Sequence, residues 1–245
     1  MSTRSRSAAR SFFVCTAMLA VCAVVWVPLI AETSPSRGLT RFNADAWSGV
    51  ELGAIDPAVF DMALGAVACA VRSGSIDDPA TLTVIDYSRP STAKRLWVFD
   101  LHTQALLYEE LVAHGKGSGE NLATRFSNEP DSLQSSLGLF LTEDTYIGKN
   151  GYSLRLRGLD QGFNDRAYER AIVMHGAPYV SDEVARSNGR LGRSWGCPAL
   201  REGVARAVID RVKRTGLLFA YYPDAAWLKS SKYLSDCGTA QTATN

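Results

Sequence analysis

The sequence predicts a mainly β domain of the α+β kind, folded as a sandwich or barrel, with one helix before it and one after a glycine-bearing turn. Three observations carry this: short apolar or alternating runs between residues 81 and 175, clusters of turn formers between them, and helical periodicity on the two flanks. A chain of 245 residues holds one domain with a full core and short extras at its ends. Its 46% hydrophobic and 21% charged residues exclude a disordered, collagenous or multi-span membrane protein.

The chain begins with an export signature. Arg4, Arg6 and Arg10 precede a run from 11 to 31 that is apolar apart from Ser11, Thr16 and Pro28. Residues 1–31 are therefore read as a signal peptide or, because the run is long enough to span a bilayer, a retained membrane anchor with inner-membrane association. Residues 32–55 mix Ser, Thr, Pro and Gly with few clustered apolars and are expected to be a spacer. Residues 56–79 form an N-terminal helical segment: Asp56 is an N-cap, Pro57 the first helical position, and Phe60, Leu64, Val67 and Val71 follow at helical spacing to about Arg72.

Strands are expected over 82–85, 96–101, 106–112, 137–141, 154–156 and 171–175. Between them stand the turn formers Ser88-Arg89-Pro90-Ser91, Gly115-Lys116-Gly117-Ser118-Gly119 and Gly148-Lys149-Asn150-Gly151. After Pro198 the period is helical again, with Val204, Val208 and Val212 on one face and Thr215-Gly216 as the stop. A last strand covers 217–222. The domain is thus bounded at 80–235, with a polar tail over 236–245.

Charge and cysteines follow the same division. The leader holds three of the 26 Lys and Arg and none of the 25 acids, which leaves 23 − 25 = −2 after residue 31 and gives nucleic acid nothing to bind. Cys15 and Cys22 lie in the leader, and Cys69, Cys197 and Cys237 remain in an oxidising compartment. An odd count leaves one thiol over. Cys69 and Cys237, at either flank, either pair as a disulfide or stay separate thiols.

The chemistry is concentrated in Ala171-Ile172-Val173-Met174-His175-Gly176-Ala177 and, after a loop, Arg193-Ser194-Trp195-Gly196-Cys197-Pro198. This sets a histidine at a strand end and a cysteine in a turn before a helix. A positive helix end favours the thiolate and an imidazole can take its proton. The N–H groups of Gly196 and Cys197 could line an oxyanion hole.

His175-Gly176 followed by Ser194-Trp195-Gly196-Cys197 resembles the L,D-transpeptidase catalytic domain, whose pattern is HG, a loop, then S-x-G-C. Val112-Ala113-His114-Gly115, Phe126-Ser127-Asn128, Ser135-Ser136-Leu137-Gly138 and the run from Gly189 to Ala199 are similar to the murein, YkuD-like branch of that family, over about residues 80 to 228. The resemblance implies that Cys197 attacks the carbonyl of the third stem-peptide residue of peptidoglycan, releases a terminal D-alanine and passes the acyl group from its thioester to an amine. With water as acceptor the same site is a carboxypeptidase; a wall-binding module without catalysis is the other alternative. His175 would be base and then acid, Gly196 and Cys197 would bind the oxyanion, and Ser194 would hold the loop or orient the histidine. No cofactor is implied, and the periplasm or cell envelope is the expected compartment.

Many relatives carry Arg two residues after the cysteine, where this chain has Ala199. Arg193 and Arg201 are the candidate substitutes for recognising a substrate carboxylate, with Trp195 as a further substrate contact. The 115–119 loop lacks the Walker A spacing, and His102 and His114 lack the close-spaced partners of a zinc site, so no metal is expected. Tyr221, Tyr222, Trp227 and Tyr233 could line a glycan groove or pack the last strand.

Overall fold

A computed structural model describes residues 39–235 and residue 237, so the expected leader and most of the polar tail lie outside the described residues. Helix α1 (Pro57–Arg72) matches its expected bounds. Asp56 caps it by accepting from the Ala58 N–H, Pro57 needs no donor there, and Val59, Phe60, Ala63, Leu64 and Val67 bury its inner stripe.

Nine strands make one sheet: β1 (Thr81–Asp86), β2 (Leu96–Asp100), β3 (Ala105–Glu110), β4 (Val112–Ala113), β5 (Gly138–Gly148), β6 (Gly151–Gly158), β7 (Val173–Ala177), β8 (Ala199–Arg201) and β9 (Gly216–Tyr221). Their order is β3-β2-β1-β9-β5-β6-β7-β8-β4. The fold is therefore mainly β with a few helices. Its two edge strands, β3 and β4, are separated in the chain by Leu111 alone, so the sheet curls until its edges nearly meet. The expected strand over 106–112 is for this reason two strands, broken where the chain steps from one edge to the other.

Arg95 ties this seam. Its Nε and Nη2 donate to Val112 O, Nη1 to Arg89 O, and Nη2 also to His114 Nδ1 at 2.8 Å. The residue is fully buried, with its guanidinium over the Tyr87 ring, and burial pushes its pKa down to about 10, which leaves it charged at neutral pH.

Four further differences have local causes. Strand β7 starts at Val173 because Ala171 adopts φ 53°, which ends the preceding turn rather than beginning a strand. Strand β5 runs through polar 142–148 into a hairpin with β6, and Lys149-Asn150 form its two-residue loop between paired Gly148 and Gly151. Helix α2 (Asp182–Asn188), capped by Ser181 and ended by left-handed Gly189, buries only Ala185 and so gives no periodic signal. Strand β8 is three residues long. It separates Cys197 from α3 (Glu202–Val212), so the helix N-terminus expected beside the thiol begins beyond the strand.

Residues 39–55, expected as spacer, are packed. Phe42 and Trp47 are buried, and the Trp47 ring stands edge-on to Phe60 at 5.1 Å and Phe99 at 5.7 Å. Two aromatic side chains bury enough surface to offset the ordering of a short segment that has no periodic pattern. At the other flank Trp227 of α4 (Ala225–Ser230) packs on Phe219 and Tyr221, and Tyr233 is buried in the same core, which makes those rings packing. Cys69 and Cys237 form a disulfide with Cα atoms 5.6 Å apart. Among the described residues no helix is long and apolar enough to cross a membrane.

Candidate active site

The turn that carries Cys197 is built almost entirely from hydrogen bonds. Ser194 Oγ accepts from the Gly196 N–H at 3.1 Å and donates to Cys197 O at 2.6 Å, which closes the turn on itself. The Ser194 N–H donates to His114 O, and the Lys116 N–H donates to Ser194 O, which pins the turn to the segment after β4. Ser135 Oγ accepts from the Gly115 N–H and donates to Gly196 O, both at 3.0 Å. Gly196 sits at φ +125°, and a Cβ there would lie 2.7 Å from Ile172 Cδ1 and 2.8 Å from Gln134 O, so no other residue fits.

Cys197 is the free cysteine among the described residues and is 8% exposed. Its thiol lies against the start of β7: the Val173 N–H donates to Sγ at 3.5 Å, and Sγ donates to Ala171 O at 3.8 Å. Burial pushes the thiol pKa up, opposed in part by the Val173 N–H and by the charge of Arg170.

His175 follows two residues along β7, and its Cα partner on β8 is Ala199, two residues after the cysteine. Its Nδ1–H donates to Gly176 O at 2.9 Å, which leaves Nε2 as the basic nitrogen. The neutral form dominates at pH 7, since burial holds the imidazole pKa below its usual value against the Gly176 carbonyl. Thiol and imidazole are not hydrogen-bonded to each other in this state.

The remaining expected site residues fall as follows. Ser194 holds the loop. The Gly196 N–H is engaged by Ser194 Oγ, so of the two expected oxyanion donors that of Cys197 is the one not bound to another residue's side chain. Trp195 is 73% exposed two residues before Cys197, with Lys116 Nζ 5.7 Å from its ring centre. Arg193 is bound to Glu120 at 2.6 Å and to Gly119 O, and Arg201 grips Glu110 through two bonds of 2.8 and 2.6 Å. Both expected carboxylate readers already hold a carboxylate.

Two arginines were not legible as site residues. Arg170 donates through Nη1 to Ser127 O and Ser136 Oγ and through Nη2 to Ser132 Oγ and Gln134 O, all neutral. Its Nη2 lies 3.6 Å from the point where a Gly196 Cβ would stand, so a fixed cation backs the turn that carries Cys197. Arg155 stands on β6 opposite Val173. In the sequence they were only basic residues, Arg155 within a strand and Arg170 before one.

His102 lies beside Arg41 and Asp78, whereas His114 has its Nδ1 on Arg95 and its Nε2 on Gly119 O. Among the described residues no group of three or more His, Cys, Asp or Glu could hold a metal ion.

A family model for the L,D-transpeptidase catalytic domain matches residues 51–221. No curated protein matches the chain. Similar solved structures include an L,D-transpeptidase from Mycobacterium smegmatis, at 15% identity and TM-score 0.37, covering 59% of this chain and 60% of that one. L,D-transpeptidase 3 from Mycobacterium tuberculosis is similar at 13% identity and TM-score 0.36, covering 59% and 62%. An Enterococcus faecium L,D-transpeptidase is similar at 12% and 0.33, covering 60% and 50%. The chain thus spans about three fifths of the first of these structures.

Proposed function

The chain belongs to the L,D-transpeptidase catalytic-domain family, and from that membership we propose that it is a peptidoglycan L,D-transpeptidase with Cys197 as nucleophile and His175 as base. The observation that carries this is the meeting of a free thiol with the leading backbone of β7, two residues before an imidazole whose Nδ1–H is tied to Gly176 O. That tie presents Nε2, unprotonated, for proton transfer.

In the first half-reaction Nε2 takes the thiol proton as Sγ adds to the carbonyl carbon of the third stem residue, and the oxyanion forms near the Cys197 N–H. The imidazolium then gives its proton to the departing D-alanine nitrogen, the C–N bond breaks, and a thioester remains. In the second half-reaction an acceptor amine adds to the thioester and loses a proton to Nε2, and Sγ leaves to recover its proton. Trp195, exposed at the turn, offers a flat apolar surface for the stem. The catalytic unit covers 80–235, with the packed segment 39–79 as its support. The cell envelope is its workplace, since peptidoglycan stems are found there.

Intact-mass measurement after incubation with a stem tetrapeptide tests this. The expected result is an acyl adduct on Cys197 with one D-alanine released. A folded protein that gains no adduct overturns the reading. Products then separate transfer from hydrolysis: new cross-links identify an amine acceptor, and trimmed stems alone identify water.

A further inference from the structure

Arg155 differs from every other arginine at the site in having nothing to bind. Ser153 and Arg155 of β6 face His175 and Val173 of β7 across the antiparallel ladder. Alternate strand residues share a face, so these four lie on one side of the sheet while Leu154 and Met174 point into the main core. Directly opposed residues have Cβ atoms about 5 Å apart. Arg155 is thus the cross-strand neighbour of Val173, whose N–H is the group that touches Cys197 Sγ.

The guanidinium is stacked 4.4 Å from the Tyr146 ring centre and 5.5 Å from that of Tyr168, and Tyr168 is half exposed. Among the described residues Arg155 makes no hydrogen bond and no ion pair. Acids on β5 and on the turn that carries Tyr168 are engaged elsewhere. Glu143 is paired with Arg157, Asp144 with Arg214, and Glu129 and Glu169 with Arg166, while Asp165 accepts from Asn128 Nδ2 and the Gly162 N–H. What remains is a flat fork of N–H donors with a permanent charge, held by two rings, on the strand next to the one that Cys197 Sγ touches. That fork matches a carboxylate.

We propose that Arg155, stacked between Tyr146 and Tyr168, is the subsite that takes the free C-terminal carboxylate of the donor stem. The inference rests on Cys197 as the nucleophile and names what its donor must carry. In a tetrapeptide stem the terminal carboxylate lies one residue beyond the scissile carbonyl. Held on β6, it sets that carbonyl at the thiol one strand away. A stem longer by one residue carries its carboxylate about 3.5 Å further on and loses this register.

The test is a binding titration on the full chain carrying Cys197→Ala, with two probes: a stem tetrapeptide ending in free D-alanine and the same peptide capped as its terminal amide. The free acid is expected to bind about tenfold or more tighter than the amide. Arg155→Met, which keeps the apolar stem of the side chain, should erase that preference, and Arg155→Lys should keep part of it. A preference that survives Arg155→Met, or that is missing in the Cys197→Ala chain itself, overturns the subsite. Arg155→Lys carries the same comparison should the Met variant fold poorly, and a lysine variant without any preference for the acid also counts against it. Acylation of the unaltered chain is read separately by mass. An adduct without Arg155-dependent binding removes the subsite and leaves the nucleophile, and the converse removes the nucleophile alone.

Discussion

The two ends of the sheet are held by different forces. At the β2-β1-β9 end nearly every strand position is buried, and Trp47, Phe60 and Phe99 meet in an aromatic cluster beneath α1. At the β7-β8-β4 end the strands have five, three and two residues, and their outer face covers a small cluster of Leu111, Ala113, Ala177, Val180, Ala185, Leu191 and Ala199. What fixes that end is directional: Ser135, Ser194, Arg95, Arg170 and the backbone groups they bind. Area gives stability to one end and hydrogen-bond geometry gives position to the other, so the two should separate under mutation.

The largest break is expected at the directional end. Cys197→Ser should lower turnover by several orders of magnitude, since a hydroxyl has far less access to its anion, while the unfolding midpoint stays in place. Kinetics and thermal unfolding on one preparation check both halves; retained turnover would remove Cys197 from the mechanism. Trp47→Ala should do the reverse. It should cost about 3–5 kcal/mol of stability with turnover per folded molecule unchanged, and a proportionate loss of turnover in the folded fraction would mean that the ends are not separable.

A pH effect on stability belongs to the seam between the ends. His114 is buried with its Nδ1 accepting from Arg95, and burial, joined by the Arg95 charge, pushes its pKa down to about 4. The unfolded imidazole takes up protons near 6.5 and the folded one does not, so stability present above 6.5 is lost as pH falls toward 4. The full contribution is on the order of 3 kcal/mol. Denaturant curves at pH 7 and 4.5 should show this drop, and His114→Asn, which keeps an acceptor for Arg95, should flatten it; an equal drop in both chains assigns the slope to other groups. The smallest effect concerns Arg170. Arg170→Gln should raise the pH midpoint for alkylation of Cys197, and Arg170→Lys should restore most of the shift. An unmoved midpoint makes Arg170 a brace for the 127–136 segment and nothing more.

How far the sequence could be read follows the same divide. Helix α1 was legible because its apolar residues repeat at the helical period and Asp56-Pro57 marked a start, and strands β1, β2 and β9 because they are short, largely apolar runs bounded by turn formers. Cys197 and His175 stood out through the turn and motif around them, and the fold brings their segments together on β7 and β8. Strands β4 and β8 were not, being too short for any period. Phe42 and Trp47 read as spacer because isolated aromatics in a polar segment show no pattern until a surface is there to receive them. Arginines were the least readable. Arg193 and Arg201 stand near Cys197 in sequence yet are occupied by Glu120 and Glu110, and the free guanidinium of Arg155 depends on which acids the fold assigns to other cations.

The position of β9 has a consequence for the order of assembly. The ninth strand is inserted between β1, with which it runs parallel, and β5, so the middle of the sheet is filled by its last-made strand. Until residues 216–221 arrive, β1 and β5 have no ladder between them and the core has no central wall. The sheet cannot grow strand by strand as the chain lengthens. The contacts of β9 with β1 join residues 135 positions apart, such as Thr81 with Gly216, and those with β5 residues 76 to 82 apart, and such pairings are slow to form. The domain should therefore stay open and uncommitted for most of its synthesis and settle late, in a single cooperative event.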